Sequence, residues 1–503
     1  MVVREPSADE IRKLGEELHF DLTEEEVHEY HEMVRESLGA YETIRSYNQP
    51  HPREPTSTRR DSGQRARPES DPYNSWITRC SVLGADDGAL AGWEVGLKDN
   101  ICLAGVEMTC GSQVLEGYTP NLDATIVTRL LDAGADIVGK TNMDDMAMAD
   151  TGGTSAFGPV LNPADDDHLA GGSSAGSASA VAAGEVDMAI GGDQGGSVRV
   201  PASWCGIVGH KPTHGLVPYT GIVGLENTID HIGIFTQDVE RCARSLGVLA
   251  GKDPLDPRQP ETVPTEEYAA TLSGEVTDLS IAVVDEGFNH DVSETRVNNE
   301  VRAAIDEFED RGATVESVSV PMHADASDIY FAALAEGLVA AVNGEGLGHN
   351  WKGWYNLSWL EGFGKARRVQ GGDLPPTVKL TMLIGAYMSD QYHSKYYAEA
   401  MNLRRELTKR YEEVLGTHDL VAMPATPQTA IKYEDSPSRT RTIERVWDAI
   451  TNSLAFNMTG HPSVSVPVDV DAGLPVGLLL TGSHFDDGTV LDAAYAYEHS
   501  ISG

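Results

Sequence analysis

Short apolar runs alternate with amphipathic stretches along most of the chain. Residues 93–97 alternate apolar and polar positions, as in a half-buried strand. Further on, residues 279–284, 294–311 and 314–320 carry a strand pattern, a helix pattern and a second strand pattern in succession. This alternation predicts an α/β fold in which helices cover both faces of a mixed β-sheet core.

The N-terminal part of the chain, residues 1–47, predicts a separate helical segment. Capping-box patterns begin at Ser7 and at Thr23, each with a glutamate three residues later. The two predicted helices fit either a cap on the core or an arm that contacts a second copy of the chain in a homodimer. Residues 48–75 are rich in Pro, Arg, Ser and Asp and predict a loose linker, and residues 76–503 form the predicted main domain.

The charge of the chain is strongly negative. The formal net charge is −41 and the sequence pI is about 4.6. Carboxylates are spread along the whole chain, and their mutual repulsion destabilises a compact state unless salt screens it. The composition is therefore typical of a halophile that keeps salt in its cytoplasm, as haloarchaea do. The same charge repels phosphate, so nucleic acid is not an expected partner.

The sequence lacks the features of membrane proteins, of secreted proteins and of disulfide or zinc frameworks. It has no apolar run long enough for a transmembrane helix, and its first residues lack the apolar region of a signal peptide. Its five cysteines show no C-x-x-C spacing, which argues against a disulfide framework and against a zinc site. We expect a cytoplasmic protein with no membrane contact, no bound metal and no cofactor.

Two loops of glycine and serine stand out, GGSS at 171–174 and GGS at 195–197. Glycine lets the backbone approach a ligand closely and aim N–H groups at an anion. Between the loops, the small residues of 174–183 predict a helix and residues 187–190 predict a strand. Each loop therefore adjoins a rigid element, as a preorganised site requires.

The first loop also matches another motif. Residues 172–176 (GSSAG) fit the G-x-S-x-G nucleophile elbow, with Ser174 as the nucleophile. That motif needs a strand immediately before it, whereas residues 162–169 are polar and contain a proline. An elbow is therefore not expected. Tight helix packing with an incidental turn would explain one such loop, but not two loops that follow a suitably placed lysine.

That lysine is Lys98, in the segment GLKDN at the end of the strand predicted over 93–97. Together with GGSS and GGS, this segment resembles the amidase signature family, and the resemblance runs from about Trp76 to the C-terminus. Further motifs that match the family are GKTNMD (139–144), FGP (157–159), GHKPT (209–213) and NMTGHP (457–462).

The resemblance implies a Ser–cis-Ser–Lys triad. Ser197 would be the nucleophile, Lys98 the base, and Ser173, after a cis peptide bond, would pass the proton between them. For this role the pKa of Lys98 must fall from about 10.4 by roughly three units, which burial among apolar neighbours such as Val95 and Leu97 can achieve.

The second loop would supply the rest of the site. The backbone N–H groups of Gln194, Gly195 and Gly196 can converge on a developing oxyanion. By resemblance to matching family positions, three further residues would contact the triad residues or their loops and hold them in place. These are Ser174, Asp193 and Arg199.

The implied function is that of a serine amidohydrolase. The loop GDQGGS (192–197) differs from the G-[ST]-D-T-G-G-S loop of amidotransferase A subunits and is similar to that of acylamide amidohydrolases of the nitrile-degradation type. The resemblance thus implies cleavage of a small-molecule amide to carboxylate and ammonia through an acyl-Ser197 intermediate. The aromatic-rich segment from about Phe331 to Met388, predicted to be irregular, would help to wall the acyl pocket.

Three alternatives remain open at this point. The chain could be the A subunit of a glutamine-dependent aminoacyl-tRNA amidotransferase, which feeds ammonia to a partner. It could be a non-catalytic binding protein on the same fold. Within catalysis, a Ser–His–Asp triad that uses His168, His210 or His214 is a further alternative, because such triads are recognised by geometry and not by sequence position.

Overall fold

The structure is a computed structural model, and it describes residues 3–47, 53–57, 59–346, 352–468 and 473–501. The chain divides into two compact units, Met1–Arg53 and Glu54–Gly503. Within the predicted linker, residues 48–52 and 58 lie outside the described residues, as do residues 347–351 of the predicted aromatic-rich segment.

The first unit consists of two helices, α1 (Ala8–Glu17) and α2 (Glu24–Ser46). Both predicted capping boxes are present. The hydroxyl oxygen of Ser7 accepts a hydrogen bond from the backbone N–H of Glu10 at 3.2 Å, and Thr23 makes the equivalent contact at 3.3 Å. These contacts satisfy backbone N–H groups that the first turn of a helix leaves unpaired, so they explain why the helices begin there.

The second unit is built on a large sheet. The strands of the chain are β1 (Arg60–Arg65), β2 (Trp76–Val82), β3 (Glu94–Lys98), β4 (Asp136–Thr141), β5 (Leu161–Asn162), β6 (Asp165–Leu169), β7 (Met188–Asp193), β8 (Val208–Lys211), β9 (His231–Thr236), β10 (Ser280–Val284), β11 (Thr314–Val318), β12 (Leu420–Pro424), β13 (Ser463–Pro467) and β14 (Gly477–Gly482). Twelve of them form one sheet in the order β1-β2-β4-β3-β7-β9-β8-β13-β14-β12-β10-β11, and β5 pairs with β6 in a separate two-stranded sheet.

Helices pack around this sheet. They are α3 (Thr125–Asp132), α4 (Ala175–Ala182), α5 (Arg199–Cys205), α6 (Val239–Leu249), α7 (Thr295–Asp310), α8 (Ala326–Asn343), α9 (Leu357–Gln370), α10 (Pro376–Tyr392), α11 (Lys395–Leu415), α12 (Arg439–Arg445), α13 (Leu454–Thr459) and α14 (Asp487–Ile501). Within the described ranges, no helix combines the length and the apolar character needed to cross a membrane.

The sheet is mixed and covered on both faces, which confirms the predicted α/β class. Every residue of β7, β9 and β14 is buried, so both faces of these central strands are covered. Strand β3 lies between β4 and β7 and is parallel to both. Because parallel strands end at the same edge of a sheet, Lys98 at the end of β3 and Asp193 at the end of β7 come together there.

The prediction of a loose linker is wrong for part of residues 48–75. Strand β1 pairs antiparallel with β2 and forms one edge of the main sheet. Its Arg60 makes an ion pair with Asp123, and both side chains are largely buried. An edge strand tolerates charged residues because one of its sides has no neighbouring strand, so polar composition alone does not identify a linker.

Three further local expectations need correction. Residues 143–148, whose sequence pattern favours a helix, contain only a 3-10 turn at Asp145–Ala147, in which Met146 has a φ of 55°. The segment predicted to be irregular is largely helical, in α8, α9 and α10. The polar residues before the first glycine loop form strand β6, but β6 belongs to the separate two-stranded sheet and not to the main sheet from which an elbow would project.

Candidate active site

Lys98 is the last residue of β3 and is fully buried, with 0% of its surface exposed. The chain turns directly after it, and a buried ion pair fastens this turn. The ammonium of Lys140 donates to the Asp99 carboxylate at 3.0 Å, and the other oxygen of Asp99 accepts from the backbone N–H of Thr109 at 2.8 Å. The position of Lys98 is therefore set both by the sheet and by the loop that follows.

The first glycine loop packs against a second buried carboxylate. Asp144 accepts hydrogen bonds from the backbone N–H groups of Gly152 and Thr154, both at 2.9 Å. A Cβ atom at Gly172 would collide with the Asp144 carboxylate and with the Gly152 nitrogen, so only glycine allows this close approach. The peptide bond between Gly172 and Ser173 is cis.

Lys98 and Ser173 meet at the centre of the site. The Nζ atom of Lys98 donates to the Oγ atom of Ser173 at 2.8 Å and to the carbonyl oxygen of Gly192 at 3.1 Å. Burial lowers the pKa of Lys98 to about 7, and the carboxylates of Asp144 and Asp193 oppose part of this shift. A substantial fraction of Lys98 is thus neutral near pH 7, which is the state that a general base requires.

Ser174 lies just behind this pair and joins the first loop to β7. Its hydroxyl donates to the carbonyl oxygen of Gly192 at 3.1 Å and accepts from the N–H of the same residue at 3.3 Å. It is fully buried and starts the turn into α4. Ser174 is therefore occupied by structural hydrogen bonds and does not have the exposed hydroxyl of an elbow nucleophile.

A buried ion pair holds the second loop closed. The guanidinium of Arg199 donates to both carboxylate oxygens of Asp193, at 3.0 and 2.9 Å, and neither side chain is exposed. The Asp193 carboxylate also accepts from the backbone N–H of Val198 at 3.1 Å. Burial raises the pKa of Asp193, but the Arg199 guanidinium, together with Lys211 and Asn457, more than offsets this effect, so the pKa lies below its ordinary value.

Asn457 completes this network from a distant part of the sequence. Its side-chain N–H group donates to the backbone oxygen of Asp193 at 2.9 Å and to its carboxylate at 2.8 Å, while its oxygen accepts from Arg199 at 2.6 Å. Arg199 donates in addition to the carbonyl oxygen of Ser453 at 2.8 Å. The loop between Asp193 and Arg199 is therefore clamped at both ends before any ligand binds.

Ser197 lies within this clamped loop and is 5% exposed. Gly196 before it has a φ of 147°, a conformation that favours glycine. Over the part of the chain that the structure describes, the backbone N–H groups of residues 194–197 donate to no protein acceptor. They are free to bind an oxygen of a ligand. The side chain of Gln194 donates to the Tyr219 hydroxyl at 3.1 Å, while its own oxygen is buried without a partner.

Two neighbouring cavities lie at this site, and Ser197 lines the smaller of them. The smaller, about 10 Å³, is lined by Ser197, Gln194 and Gly195 on one side and by Asp150, Tyr330 and Trp447 on the other. The larger, about 190 Å³, is mostly apolar. Met148 and Leu225 line both cavities, so the two adjoin. Trp354, Trp359 and Phe363 line the larger one, in agreement with the expectation that the aromatic-rich segment walls a pocket.

Lys98 is hydrogen-bonded to Ser173, and Ser197 stands in the loop that follows β7. Among the described hydrogen bonds, none joins Ser173 to Ser197. Such a contact is often long without substrate and tightens when substrate binds. The three candidate histidines bind elsewhere: His168 contacts Asp165, His210 contacts Asp487, and His214 contacts a backbone oxygen. None of them is hydrogen-bonded to Ser197 within the described structure.

The structure brings to the site several residues whose local sequence indicates no role. They are Asp144, Asp150, Tyr330, Trp447 and Asn457. Asp144 and Asn457 stand within motifs that match the family, and this signal could have identified them. Among the described residues, no group of three or more His, Cys, Asp or Glu side chains is arranged to hold a metal ion.

Comparison with known proteins gives a consistent assignment. A family model described as Amidase matches residues 75–491. The chain is 39% identical over 504 residues to an enantioselective amidase of Rhodococcus rhodochrous, across 99% of this chain and 96% of that protein. It is 40% identical over 431 residues to the A subunit of the glutamyl-tRNA(Gln) amidotransferase of Haloarcula marismortui, across 84% of this chain and 99% of that protein.

Solved structures agree with the sequence relatives. The peptide amidase of Stenotrophomonas maltophilia superposes with a TM-score of 0.68 at 28% identity, over 83% of this chain and 84% of that chain. The A subunit of the Thermotoga maritima glutamyl-tRNA(Gln) amidotransferase gives a TM-score of 0.67 at 33% identity, over 83% of this chain and 85% of that chain. The chain therefore belongs to the amidase family, whose members are the amidase signature enzymes, and is a serine amidohydrolase of that family.

Proposed function

We propose that the protein hydrolyses linear carboxylic acid amides to carboxylate and ammonia, through an acyl intermediate on Ser197. The observation that carries this proposal is the buried Lys98, which donates to the Ser173 hydroxyl at 2.8 Å and whose pKa is lowered to about 7. An amide is a poor electrophile, so a serine must be activated by a base before it can attack. Lys98 and Ser173 supply that base next to the loop that carries Ser197.

In the proposed acylation step, neutral Lys98 takes the proton of Ser173, and Ser173 takes the proton of Ser197. The Oγ atom of Ser197 then attacks the amide carbon, and the developing oxyanion binds the free backbone N–H groups of Gln194, Gly195 and Gly196. One such donor typically contributes about 10²–10³ in rate. The proton returns through Ser173 to the departing nitrogen, and the C–N bond breaks to release ammonia.

Deacylation uses the same groups in the same order. A water molecule gives one proton through Ser173 to Lys98 and attacks the acyl-Ser197 ester. The bond between the acyl carbon and the Oγ atom of Ser197 then breaks, and the proton returns from Lys98 through Ser173 to that Oγ atom. The product acid leaves as the carboxylate after losing its remaining proton to solvent, so Lys98 is neutral again and Ser197 is restored. Three residues have a structural role in this scheme and exchange no proton. The ion pair between Asp193 and Arg199 keeps the nucleophile loop closed, and Ser174 holds the first loop against Gly192. Preorganisation of this kind is what makes oxyanion stabilisation effective.

The shape of the site supports amides with an apolar portion, of the acylamide amidohydrolase type. The larger cavity, about 190 Å³, has an apolar lining with three aromatic side chains and adjoins the small cavity at Ser197. Pockets of this character take up the hydrophobic part of small substrates, while a few polar groups orient the reacting bond. The match to an enantioselective amidase over nearly the whole chain supports the same subgroup.

The second candidate is the A subunit of an aminoacyl-tRNA amidotransferase, because several relatives bear that name. The Haloarcula protein aligns over 99% of its own length and still leaves about a sixth of this chain unmatched, since 84% is covered. The amidase relative covers 99% of this chain. This difference favours the amidohydrolase. Ammonia transfer that requires tRNA and a co-purified partner chain would favour the amidotransferase instead.

A non-catalytic binding protein on this fold is the alternative from another class. Such a protein has no need to keep a lysine at 0% exposure with a lowered pKa, because burying an ionisable group costs stability. The experiment that separates the three functions is a panel of aliphatic and aromatic amides, assayed for ammonia with and without tRNA. We expect release of ammonia from simple amides by the purified chain alone, and hydroxamates when hydroxylamine competes with water.

We also propose that the protein works in a salt-rich cytoplasm as a homodimer joined through its N-terminal helices. The net charge of −41 supports the first part. Support for the second comes from large apolar side chains on α2 that are exposed in the single chain, among them Met33 at 57% and Ile44 at 60%. Light scattering should give a dimer mass that Met33→Glu reduces. Leu383→Glu, at an exposed residue of α10, should leave the mass unchanged.

A further inference from the structure

The side chain of Gln194 makes a contact outside the loop that carries Ser197. Its Nε2 atom donates to the hydroxyl oxygen of Tyr219 at 3.1 Å, and the two residues are 2% and 6% exposed. Over the described part of the chain, this is the one hydrogen bond that a side chain of residues 194–197 makes. The buried ion pair described above holds the two ends of the loop, so Tyr219 is the contact that holds its middle.

Packing alone does not explain a glutamine at position 194. The Oε1 atom of its side chain is buried without a partner within the described structure, and an unpaired buried polar atom lowers stability. An apolar side chain of the same length would fill this space without that loss. The glutamine is therefore matched to its hydrogen-bond partner and not to an apolar surrounding.

Tyr219 is itself held in place by a buried ion pair. Its backbone N–H donates to the Asp256 carboxylate at 2.8 Å, and the Arg258 guanidinium lies 4.3 Å from the centre of its ring. Arg258 also donates to both oxygens of Asp256, at 3.0 and 2.8 Å, and this pair is almost fully buried. Burial raises the pKa of Tyr219 well above its ordinary value, so its hydroxyl stays neutral. Gln194 is thus bonded to a partner that is anchored independently of the loop.

The contact also joins the two cavities of the site. Gln194 lines the small cavity together with Ser197, and Tyr219 lines the large apolar one. In the proposed mechanism, the backbone N–H of Gln194 is one of the donors to the oxyanion. Anchoring the side chain of a residue restricts rotation of the backbone N–H beside it. Such a donor stabilises the transition state only when its direction is fixed before the reaction begins.

On the basis of the proposed function, we propose that Tyr219 is a positioning residue for the oxyanion site, and that it acts through Gln194. The negative charge on the oxygen develops only in the transition state. Loss of the contact therefore lowers kcat and kcat/KM by the same factor and leaves KM unchanged. A residue that does no more than wall the large cavity contributes to substrate binding, and its loss raises KM instead.

Tyr219→Phe tests this, because it removes the hydroxyl and keeps the ring beneath Arg258. With butyramide at one fixed KCl concentration, we expect kcat to fall about tenfold at unchanged KM, which is part of the contribution of one oxyanion donor. Tyr118→Phe is the matched control, since the hydroxyl of Tyr118 also forms a hydrogen bond, with Ser358 at 3.0 Å. This control should keep the kcat of the unmodified protein. A rise of KM at constant kcat in Tyr219→Phe, or an equal fall of kcat in both variants, would overturn the proposal.

A double-mutant cycle then assigns the effect to the pair. Gln194→Met keeps the length of the side chain and the backbone N–H, but a thioether cannot donate a hydrogen bond. We expect this variant to lower kcat as much as Tyr219→Phe, and the double variant to be no slower than either single one, because all three lack the same contact. Effects that multiply in the double variant would show that the two residues act independently, and would contradict the proposal. The melting temperature of Gln194→Met should not fall, since the unpaired buried oxygen is removed with the amide.

The outcomes also separate this inference from the proposed function. If the unmodified protein releases ammonia from butyramide and Tyr219→Phe has the same kcat, the role of Tyr219 fails and amide hydrolysis stands. If the unmodified protein releases ammonia from no amide of the panel, both proposals fail. A lower kcat at unchanged KM, found in both single variants and not deepened in the double variant, is the result that the inference requires.

Discussion

The Nζ atom of Lys98 lies 2.8 Å from the Oγ atom of Ser173, and neither side chain is exposed to solvent. The two residues belong to different elements, since Lys98 ends a strand and Ser173 stands in the loop before α4. Burial holds the pKa of Lys98 near 7, so this contact joins a hydroxyl to an amine that is often neutral.

Replacement of Lys98 by alanine should lower kcat by about 10²–10⁴-fold, the usual contribution of a general base. Activity should recover in part at high pH, where hydroxide replaces the missing base. Initial rates of ammonia release measure both effects. Lys98→Arg serves as the matched variant, because its guanidinium stays protonated and cannot accept a proton. It should be as impaired as alanine, whereas an active Lys98→Arg would remove Lys98 from the proposed mechanism.

The pH dependence of kcat/KM should report Lys98 directly. The neutral form increases as the pH rises through the pKa, so kcat/KM for a neutral amide should rise with a midpoint near pH 7 and then level off. A lysine in its ordinary state would place that midpoint near pH 10. A profile that is flat between pH 6 and 9, or that rises only above pH 9, is inconsistent with this assignment.

Asp144 offers a check on the sign of that effect. Its carboxylate favours the charged form of Lys98 and so raises the lysine pKa. Asp144→Asn removes this influence with little change of shape, and the rising limb should therefore move to lower pH. A shift to higher pH would show that another group titrates. Asp144 also accepts hydrogen bonds from two backbone N–H groups, so the substitution can affect folding. The melting temperature of the Asp144→Asn variant should therefore be measured together with its pH profile.

Much of the site follows from local sequence, but not all of it. Lys98, Ser173 and Ser197 stand in short motifs whose neighbours decide their placement: a strand brings Lys98 to the sheet edge, and glycines shape the two loops. The contact of Asn457 with Arg199 spans 258 residues, and no local pattern reveals it. Asp150 is comparable, since only the folded structure shows that it lines the same small cavity as Ser197.

The errors in the fold prediction have physical reasons of the same kind. The charged residues of β1 made this segment look like a linker in the sequence. The strand tolerates them because it lies at the edge of the sheet and because Arg60 pairs with Asp123. The 3-10 turn at Asp145–Ala147 has a helical sequence pattern, but Met146 donates to the carbonyl oxygen of Cys110 at 2.9 Å instead of continuing a helix. Tertiary contacts override local preference at both places.

The buried ion pair behind the nucleophile loop should be important for stability. Arg199→Met leaves the Asp193 carboxylate buried without its partner, and such a change typically lowers the free energy of unfolding by about 3–5 kcal/mol. Lys365→Met breaks an exposed pair with Glu361 and should cost at most about 1 kcal/mol. Denaturant unfolding of both variants measures the difference. Equal losses would show that the pair between Arg199 and Asp193 does not hold this loop.

Salt should stabilise the protein as a whole. The net charge of −41 comes from carboxylates along the entire chain, so screening relieves many repulsions together. The Debye length falls from about 10 Å at 0.1 M salt to about 3 Å at 1 M, and both melting temperature and activity should rise steeply over this range of KCl. NaCl at equal ionic strength should act alike if screening is the cause. Full stability and activity at about 0.1 M salt would refute the halophilic assignment.

The most direct measurement is the identification of the acylated residue during turnover. The enzyme is quenched in acid while it hydrolyses an amide, or labelled with a fluorophosphonate, and the modified peptide is fragmented in a mass spectrometer. We expect an adduct on Ser197 that is lost in Ser197→Ala, with the fold of that variant intact by circular dichroism. An adduct on Ser174, or turnover that persists in Ser197→Ala, would contradict it.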